Sequence, residues 1–417
     1  MFKLLIISFK KIIIKTLYFL FFLLSPFLFT LIIFLKPIII VRIIPIMTNR
    51  YGHLAMNPEV YLLEKNMLKF SKKYLDLFFY SRYGICNYEL FYLVKKNITI
   101  FPYFILEPIY NFIKKFFKKK INSFTIINFS QKVTDYNFYF DKFEPSLNLS
   151  EEQIQTCKDI LVKNDISEKD PFVCIFNRDD AYLNSFRHKK DWYYLSHHNY
   201  DINKFYLSAE LIANKNINVF RMGSKVEKEF KSINKNKRII DYANSKFRSE
   251  LMDIYLASKC LFGISSGTGN SQVAIVFRRP ILDLNANLHH LFTYKKDSIL
   301  LSKHYFSKKE KRYLTLKEIL KFNINELSTR NQLDDVGIEM IDCGDEEIAS
   351  AVLELLDRLS GKWTDTEYNL DLQRRFKKIY SQWMGNQYVN GHKWHGDIIR
   401  ANYSTNFLIK NIEWLNE

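Results

Sequence analysis

The sequence predicts an α/β protein in which two Rossmann-like domains face a cleft behind an N-terminal membrane segment. Three observations predict it. Residues 17–35 carry no charge, and apolar character resumes at 38–41. From residue 38 onward, short runs of branched and aromatic residues alternate with helix-compatible stretches, the pattern of parallel sheets with crossover helices. Late in the chain an apolar run, 260–264, enters the loop Ser265-Ser266-Gly267-Thr268-Gly269-Asn270, and a helix-compatible run over 271–277 follows. Backbone N–H groups, small hydroxyls and a helix N-terminus in one loop make a phosphate pocket.

The first run is near the length that spans a bilayer at about 1.5 Å rise per residue. A cleaved signal peptide fits poorly, because no small-residue cleavage site follows. Lys3, Lys10, Lys11 and Lys15 precede the run and Lys36, Arg42 and Arg50 follow it, so flanking charge does not choose a topology. Ser25-Pro26 in mid-run suggests a kink or a turn back. A re-entrant or surface-embedded anchor with both ends on the cytoplasmic face is the expected arrangement.

With 417 residues the chain has room for two cores. Its 61 Lys+Arg against 44 Asp+Glu give a net charge of +17. Nucleic acid, an anionic membrane surface and an anionic substrate would each suit that charge. Lys, Asn, Ile, Phe and Tyr are all abundant, so part of the excess reflects composition bias, and nucleic acid is not expected as a partner. Five cysteines without any Cys-x-x-Cys spacing point to a reducing compartment with neither disulfide framework nor metal cluster.

Element by element, residues 38–47 read as a buried strand ending in the loop 48–54. Asn57-Pro58-Glu59 opens a helix over 60–72. A strand at 77–80, a helix near 87–96 and a strand at 98–101 complete a first domain over 38–150. The basic, Phe-paired run 114–120 reads as a solvated or membrane-facing helix. A second domain over 151–362 begins with a helix at 151–163 that Ser150 caps. Strands follow at 172–176, 218–221 and 260–264, with helices at 201–214 and 247–258. A late strand, 338–342, precedes a helix at 346–359 capped by Asp345. The helical, aromatic tail 363–417 is expected to pack back on the first domain.

Strand ends carry the chemistry. The strand 172–176 ends in Asn177-Arg178-Asp179-Asp180-Ala181-Tyr182, and a cation leaving the C-terminal end of a parallel strand points where ligands bind. Arg178 suits a bidentate phosphate contact, with Asp179 positioning it. Arg221-Met222-Gly223 repeats the arrangement, the glycine permitting close backbone approach. Asp241-Tyr242 offers an acceptor for a ribose and a ring for a base. His53, after the first strand, suits a general base acting on a hydroxyl. Each has a plain alternative: a surface ion pair, an ordinary turn, a core tyrosine, a structural histidine. The Ser265 loop fits neither Gly-x-Gly-x-x-Gly nor a loop ending Gly-Lys-Ser/Thr, which disfavours dehydrogenase and ATPase readings. No Asp-x-Asp occurs, and His188, His197-His198 and His289-His290 lack ligand spacing, so no metal is expected.

Taken in order, Arg50-Tyr51-Gly52-His53-Leu54 with Asn57-Pro58-Glu59, Asn177-Arg178-Asp179 with Tyr182, Arg221-Met222-Gly223, Asp241-Tyr242-Ala243 and Ser265-Ser266-Gly267 resemble a family of bacterial glycosyltransferases. These belong to surface-polysaccharide and lipopolysaccharide biosynthesis clusters. The resemblance spans about residues 38–360. More distantly, the Arg-Asp strand end and Ser-Ser loop look like donor-phosphate elements of the GT-B fucosyltransferases. One departure is His198-Asn199, where the resemblance would place an Arg-Asn pair. The resemblance implies the two-domain GT-B fold, no metal or other cofactor, and an activated sugar in the C-terminal domain. Donor-binding residues would be Arg178, Asp179, Tyr182, Arg221, Met222, Gly223, Asp241, Tyr242, Ser265, Ser266, Gly267, Thr268 and Gly269. Acceptor-binding residues would be Arg50, Gly52, His53, Glu59, Arg82 and Asn87, with His53 and Arg178 catalytic. The expected activity is transfer of a sugar from a nucleotide-sugar donor to a glycan or lipid-linked acceptor at a bacterial inner membrane, on its cytoplasmic side. A non-catalytic envelope-assembly protein and a GT-B nucleotide-sugar epimerase are the alternatives.

Overall fold

The computed structural model describes every residue except 1, 68–73, 119–122, 126–128, 130–134, 136, 187–191, 287, 289–290, 292–293, 385–387, 390–391, 394–398 and 417. His188, His289 and His290 lie outside the described residues. The chain divides into two units: residues 1–135 with 143–149, and residues 136–142 with 150–417.

The first unit begins with helix α1 (Phe2–Leu35), in which Ser8–Leu35 is long and apolar enough to cross a membrane, with a mean hydropathy of 2.5. The expected turn at Ser25-Pro26 does not form. The helix continues through it, because the loss of one backbone donor at Pro26 is a local defect. Hydroxyls add local bonds on either side: Ser25 donates to the Phe21 carbonyl and Thr30 to that of Pro26. Most of the apolar surface of this helix stays uncovered by the rest of the chain. Phe29 packs against Phe112, Phe117 and Phe124, with Leu28 and Ile32 partly buried against the same cluster.

Strand β1 (Ile40–Ile46), helix α2 (Tyr51–Met67), strand β2 (Tyr74–Tyr80), helix α3 (Tyr88–Asn97), strand β3 (Ile100–Phe101) and helix α4 (Tyr103–Phe116) follow. The three strands form one parallel sheet in the order β1-β2-β3. Arg42 sits opposite Asp76 in the register of β1 and β2, and its Nε lies 2.5 Å from that carboxylate. Two expectations fail here. Residues 51–54 are the first turn of α2, not a loop, and Asn57-Pro58-Glu59 lie inside that helix, not at its start. The polar pair tempts a capping assignment, but both side chains are buried tie points. Asn57 donates to the Phe129 carbonyl at 2.7 Å, and Glu59 accepts the Ser146 N–H at 3.0 Å.

The second unit runs α5 (Glu151–Lys163), β4 (Phe172–Phe176), α6 (Ala181–Phe186), α7 (Tyr206–Ala213), β5 (Asn218–Met222), β6 (Ile239–Ile240), α8 (Glu250–Lys259), β7 (Gly263–Ser265), α9 (Ser271–Val276), β8 (Ile281–Asp283) and β9 (Ile299–Leu300). It continues with β10 (His304–Ser307), β11 (Arg312–Tyr313), α10 (Leu316–Lys321), α11 (Arg330–Asp335), β12 (Ile338–Ile341), α12 (Asp345–Leu359), α13 (Glu367–Met384), β13 (Tyr388–Val389), β14 (His392–Lys393), β15 (Asn402–Tyr403) and α14 (Thr405–Lys410). Ser150 and Gln153 cap α5 reciprocally.

Seven strands form a parallel sheet in the order β15-β9-β8-β7-β4-β5-β6. From β4 the chain winds outward through β5 and β6, then returns to the other side of β4 for β7, β8 and β9. That reversal between β4 and β7 is a topological switch point, where doubly wound sheets open a crevice beyond their carboxyl ends. β10, β11 and β12 make a separate antiparallel sheet.

The tail does not behave as expected. It completes the second unit: β15 pairs with β9, and Leu372, Phe376, Tyr380 and Tyr403 join that unit's core. Gln373 locks the join, donating to the Tyr403 carbonyl at 2.7 Å and accepting the Tyr403 N–H at 3.2 Å. Gln373 thus pairs backbone groups of the edge strand β15, while Leu372, Phe376 and Tyr380 of α13 enter the core.

Gly263 shows how tightly β7 is packed. A methyl group there would come within 2.7 Å of the Phe176 ring and 2.8 Å of Ile281. Gly263→Ala should therefore cost about 1–3 kcal/mol by overpacking. Denaturant unfolding of the variant checks this, and an unchanged midpoint would refute the packing argument.

Candidate functional site

At the switch point the ends of β4 and β7 are zipped together. The Arg178 N–H donates to Ser266 Oγ at 2.8 Å, and the Ser266 N–H donates to the Phe176 carbonyl at 3.1 Å. The Asn177 amide donates to the Tyr200 carbonyl at 3.1 Å, while the Tyr200 N–H returns a bond to the Arg178 carbonyl. These backbone contacts fix where Arg178 leaves the sheet without using its guanidinium.

The hydroxyl-rich loop is built differently from expectation. Ser265 and Ser266 are both buried. Ser265 Oγ donates to Ser271 Oγ at 2.9 Å and accepts the Gly267 N–H, so it braces the turn. Thr268 Oγ1 accepts the Ser271 N–H and its carbonyl accepts Ser271 Oγ. With α9 only one and a half turns long, the helix terminus expected to hold phosphate is not available as such. Gly267 and Gly269 remain exposed. Gly267 needs to be glycine: its φ is +80°, and a methyl group would meet the Asn285 amide at 3.4 Å.

Arg221 is not a surface phosphate clamp. It is 1% exposed, with Nη1 3.2 Å from Asp241 and Nη2 3.7 Å from Asp179. Burial pulls its pKa down, against the two carboxylates. Asp241 also accepts the Phe230 N–H and the Asn244 amide. Asp179 accepts backbone N–H groups of Ala181 and Glu227. Met222 is buried in β5, and the Gly223 carbonyl accepts from Arg248. Tyr242, expected to stack on a base, is a core residue whose hydroxyl donates to Asp253 at 2.8 Å. Burial raises the Asp253 carboxyl to about 6. Tyr182, on α6, is exposed.

In the first unit, Glu59 and Asn87 are also structural. Asn87 caps α3, accepting the Leu90 N–H at 2.7 Å. Gly52 is buried in α2, and Arg82 pairs with Glu107 at 2.9 Å. Arg50 is exposed, and the half-buried His53 reaches Asn57 Oδ1 through Nδ1 at 3.2 Å. His53 lies in the first turn of α2 with its imidazole held by a neighbour one turn on.

Several residues that sequence reasoning missed gather around Arg178. Lys303, just past β9, is 3% exposed; its ammonium donates to the Asn199 carbonyl at 2.6 Å and lies 2.7 Å from Asp342. Burial foremost lowers its pKa. The rings of His197 and His198 are tilted by 41° with centroids 3.9 Å apart, and His198 Nδ1 lies 3.4 Å from the Asn285 amide. His197 is 4% exposed, and neither ring nitrogen meets a partner in hydrogen-bond geometry among the described residues, although the Tyr194 backbone acts on the ring. Burial, then the charges of Lys303, Arg178 and Arg330, push it down to about 4; His198 falls to about 3, by burial and then by His197 and Arg178. The signal for this group is tertiary: it joins the ends of β4, β8 and β9 with a turn of 3-10 helix, Tyr193–His198.

Asp283 closes β8, taking the Tyr294 hydroxyl at 2.6 Å and the Asn285 N–H at 2.9 Å. Burial nonetheless raises its carboxyl from 3.8 to about 6. A carboxyl with a higher pKa folded than unfolded favours folding while protonated. That contribution is full below 3.8 and gone above about 6. The wild-type chain should lose stability relative to Asp283→Asn as pH rises through that window, which paired unfolding titrations would reveal. Parallel pH profiles would refute it.

His304, Cys343 and Glu347 bring three metal-type ligand atoms within 4.8 Å of one another. Each is already engaged: His304 Nε2 with Glu347 at 3.1 Å, Glu347 with the Gly344 N–H, and the Cys343 thiol with the Ser302 carbonyl. The trio reads as a brace between β10, β12 and α12.

No protein-family model matches the sequence, and no curated protein matches it. The solved structures similar to this chain include two glycosyltransferases. One is ADP-heptose LPS heptosyltransferase II of E. coli, 12% identical with a TM-score of 0.31, the match covering 58% of this chain and 84% of that one. The other is a glycosyl transferase of family 9 from Veillonella parvula, 9% identical with a TM-score of 0.37, covering 70% and 95%. Likeness at this level bears on neither substrate nor reaction.

Proposed function

We propose that the chain is a glycosyltransferase that moves a sugar from a nucleotide-sugar donor to an envelope glycan or lipid-linked acceptor. The observation that carries this reading is the set of four neighbouring strand ends. Arg178 follows β4, Gly267 follows β7, Asn285 follows β8 and Lys303 follows β9, side by side at the switch point of a doubly wound sheet. Two cations and an exposed glycine turn there suit a diphosphate. As the sugar–phosphate bond breaks, negative charge grows on the leaving diphosphate, and fixed cations stabilise it without a metal. The absence of any Asp-x-Asp sequence agrees with that assignment.

On this reading the donor's diphosphate is held by Arg178 and the backbone of Gly267–Gly269, while the buried Lys303, paired with Asp342, adds positive field from within the sheet end. Asp179, Arg221 and Asp241 form the buried frame beneath. Arg50 and His53 of the first unit remain the acceptor-side candidates, with His53 as base for the acceptor hydroxyl. The apolar α1 would hold the protein at the bacterial inner membrane, its body on the cytoplasmic side where nucleotide sugars are made.

Full-length protein in detergent, supplied with individual nucleotide sugars and a membrane glycolipid extract, should release nucleoside diphosphate only when both substrates are present. Release without acceptor dependence, or none from any donor, would overturn the reading. A second reading, a non-catalytic envelope-assembly protein with this fold, draws support from the inward-turned Ser265, Ser266 and Arg221. It predicts nucleotide binding without turnover, or no binding.

A further inference from the structure

We propose that the His197–His198 pair is a proton-linked anion receptor that captures one solvent proton as the diphosphate of the donor binds; this rests on the transferase reading above. His197 is a buried imidazole whose two nitrogens lack a partner in hydrogen-bond geometry among the described residues, although the Tyr194 backbone acts on the ring. A buried polar ring without hydrogen bonds is unfavourable unless some state of the molecule supplies a partner.

The surroundings say what kind of partner. The charges acting on the ring are cationic: Arg178 beyond β4, Lys303 beyond β9 and Arg330 on α11. Carboxylates stand on those elements as well: Asp179 and Asp180 follow Arg178, and Asp180 Oδ1 is buried without a hydrogen-bond partner among the described residues. Asp342 sits on Lys303, and Asp334 takes Arg330 and the Tyr193 hydroxyl. His198 faces His197, Arg178, Lys303 and the Asn285 amide. A cationic cluster around an unsatisfied donor-capable ring is complementary to an anion rich in acceptor oxygens.

Protonation follows from electrostatics. Without ligand, burial and three cations keep the pair neutral. A bound diphosphate reverses the local field, so an imidazolium becomes favourable and donates an N–H to a phosphate oxygen. The ring centroids lie 3.9 Å apart, so one proton on the pair opposes a second, and uptake is limited to about one. Affinity should therefore rise as pH falls through the bound-state pKa, by up to about tenfold per pH unit.

Calorimetry of the full-length protein in two buffers of different ionisation enthalpy, near pH 6 and pH 8, measures this proton directly. Inorganic pyrophosphate and a panel of nucleoside diphosphates serve as probes. Expected are uptake approaching one proton, its loss in His197→Gln/His198→Gln, and retained binding without uptake in His198→Arg, whose charge is permanent. Diphosphate binding with no uptake, unchanged in the Gln variant, overturns the receptor but leaves the transferase reading. Proton-linked pyrophosphate binding with no preference for any nucleoside diphosphate and no sugar-nucleotide turnover upholds the receptor and removes the transferase reading. No binding of any probe overturns both.

Discussion

Arg178→Gln should lower acceptor-dependent release of nucleoside diphosphate by about 10²–10³-fold, the size of effect seen when one fixed donor to developing negative charge is removed. The fold should survive, because the bonds that zip β4 to β7 use the Arg178 backbone: its N–H to Ser266 Oγ and its carbonyl from the Tyr200 N–H. Glutamine keeps the length and a donor but removes the charge. Steady-state kinetics alongside a denaturation midpoint test both halves. Undiminished turnover would refute the role of Arg178. A collapsed midpoint would show that the guanidinium supports the switch point itself. If its charge acts mainly on the breaking bond, kcat falls while KM changes little.

How far the sequence discloses this depends on whether a signal is local. The helix Glu151–Lys163 and the strand Phe172–Phe176 are legible because a capping box and an unbroken apolar run are written in adjacent residues. The start of α2 is not. Asn57-Pro58-Glu59 has the composition of a helix opening, and only the distant partners Phe129 and Ser146 explain why those residues sit buried in mid-helix. The tail is similar: α13 advertises an apolar face, but periodicity does not name the core that receives it.

The site divides in the same way. Arg178 is legible as a cation leaving a parallel strand. Ser265 and Ser266 have a different role from the one their hydroxyls suggest, since those hydroxyls shape the turn and tie it to β4. Lys303 and the histidine pair are silent in sequence, because residues about a hundred positions apart meet only through the order of β4, β8 and β9. A strand sequence also places a charged residue without stating which way it faces, which is why Arg221 passes for a ligand group.

Arg221 supplies the second large expectation. It bears a buried positive charge between two carboxylates, 3.2 Å from Asp241 and 3.7 Å from Asp179. Removing one partner from such a group strands the others in a low-dielectric site, at a typical cost of about 3–5 kcal/mol. Arg221→Met should lower the unfolding free energy by that amount. Asp241 keeps its bonds from the Phe230 N–H and the Asn244 amide, but these do not neutralise it. Combining Arg221→Met with Asp241→Asn should restore part of the loss, since the second change removes a charge that the first left unpaired. The pair should thus be strongly non-additive. Turnover per folded molecule distinguishes frame from ligand group. The frame assignment predicts a destabilised Arg221→Met protein that still transfers sugar at low temperature. A variant of unchanged stability that has lost turnover would instead place the Arg221 guanidinium on the donor, with the buried ion pairs as its resting state.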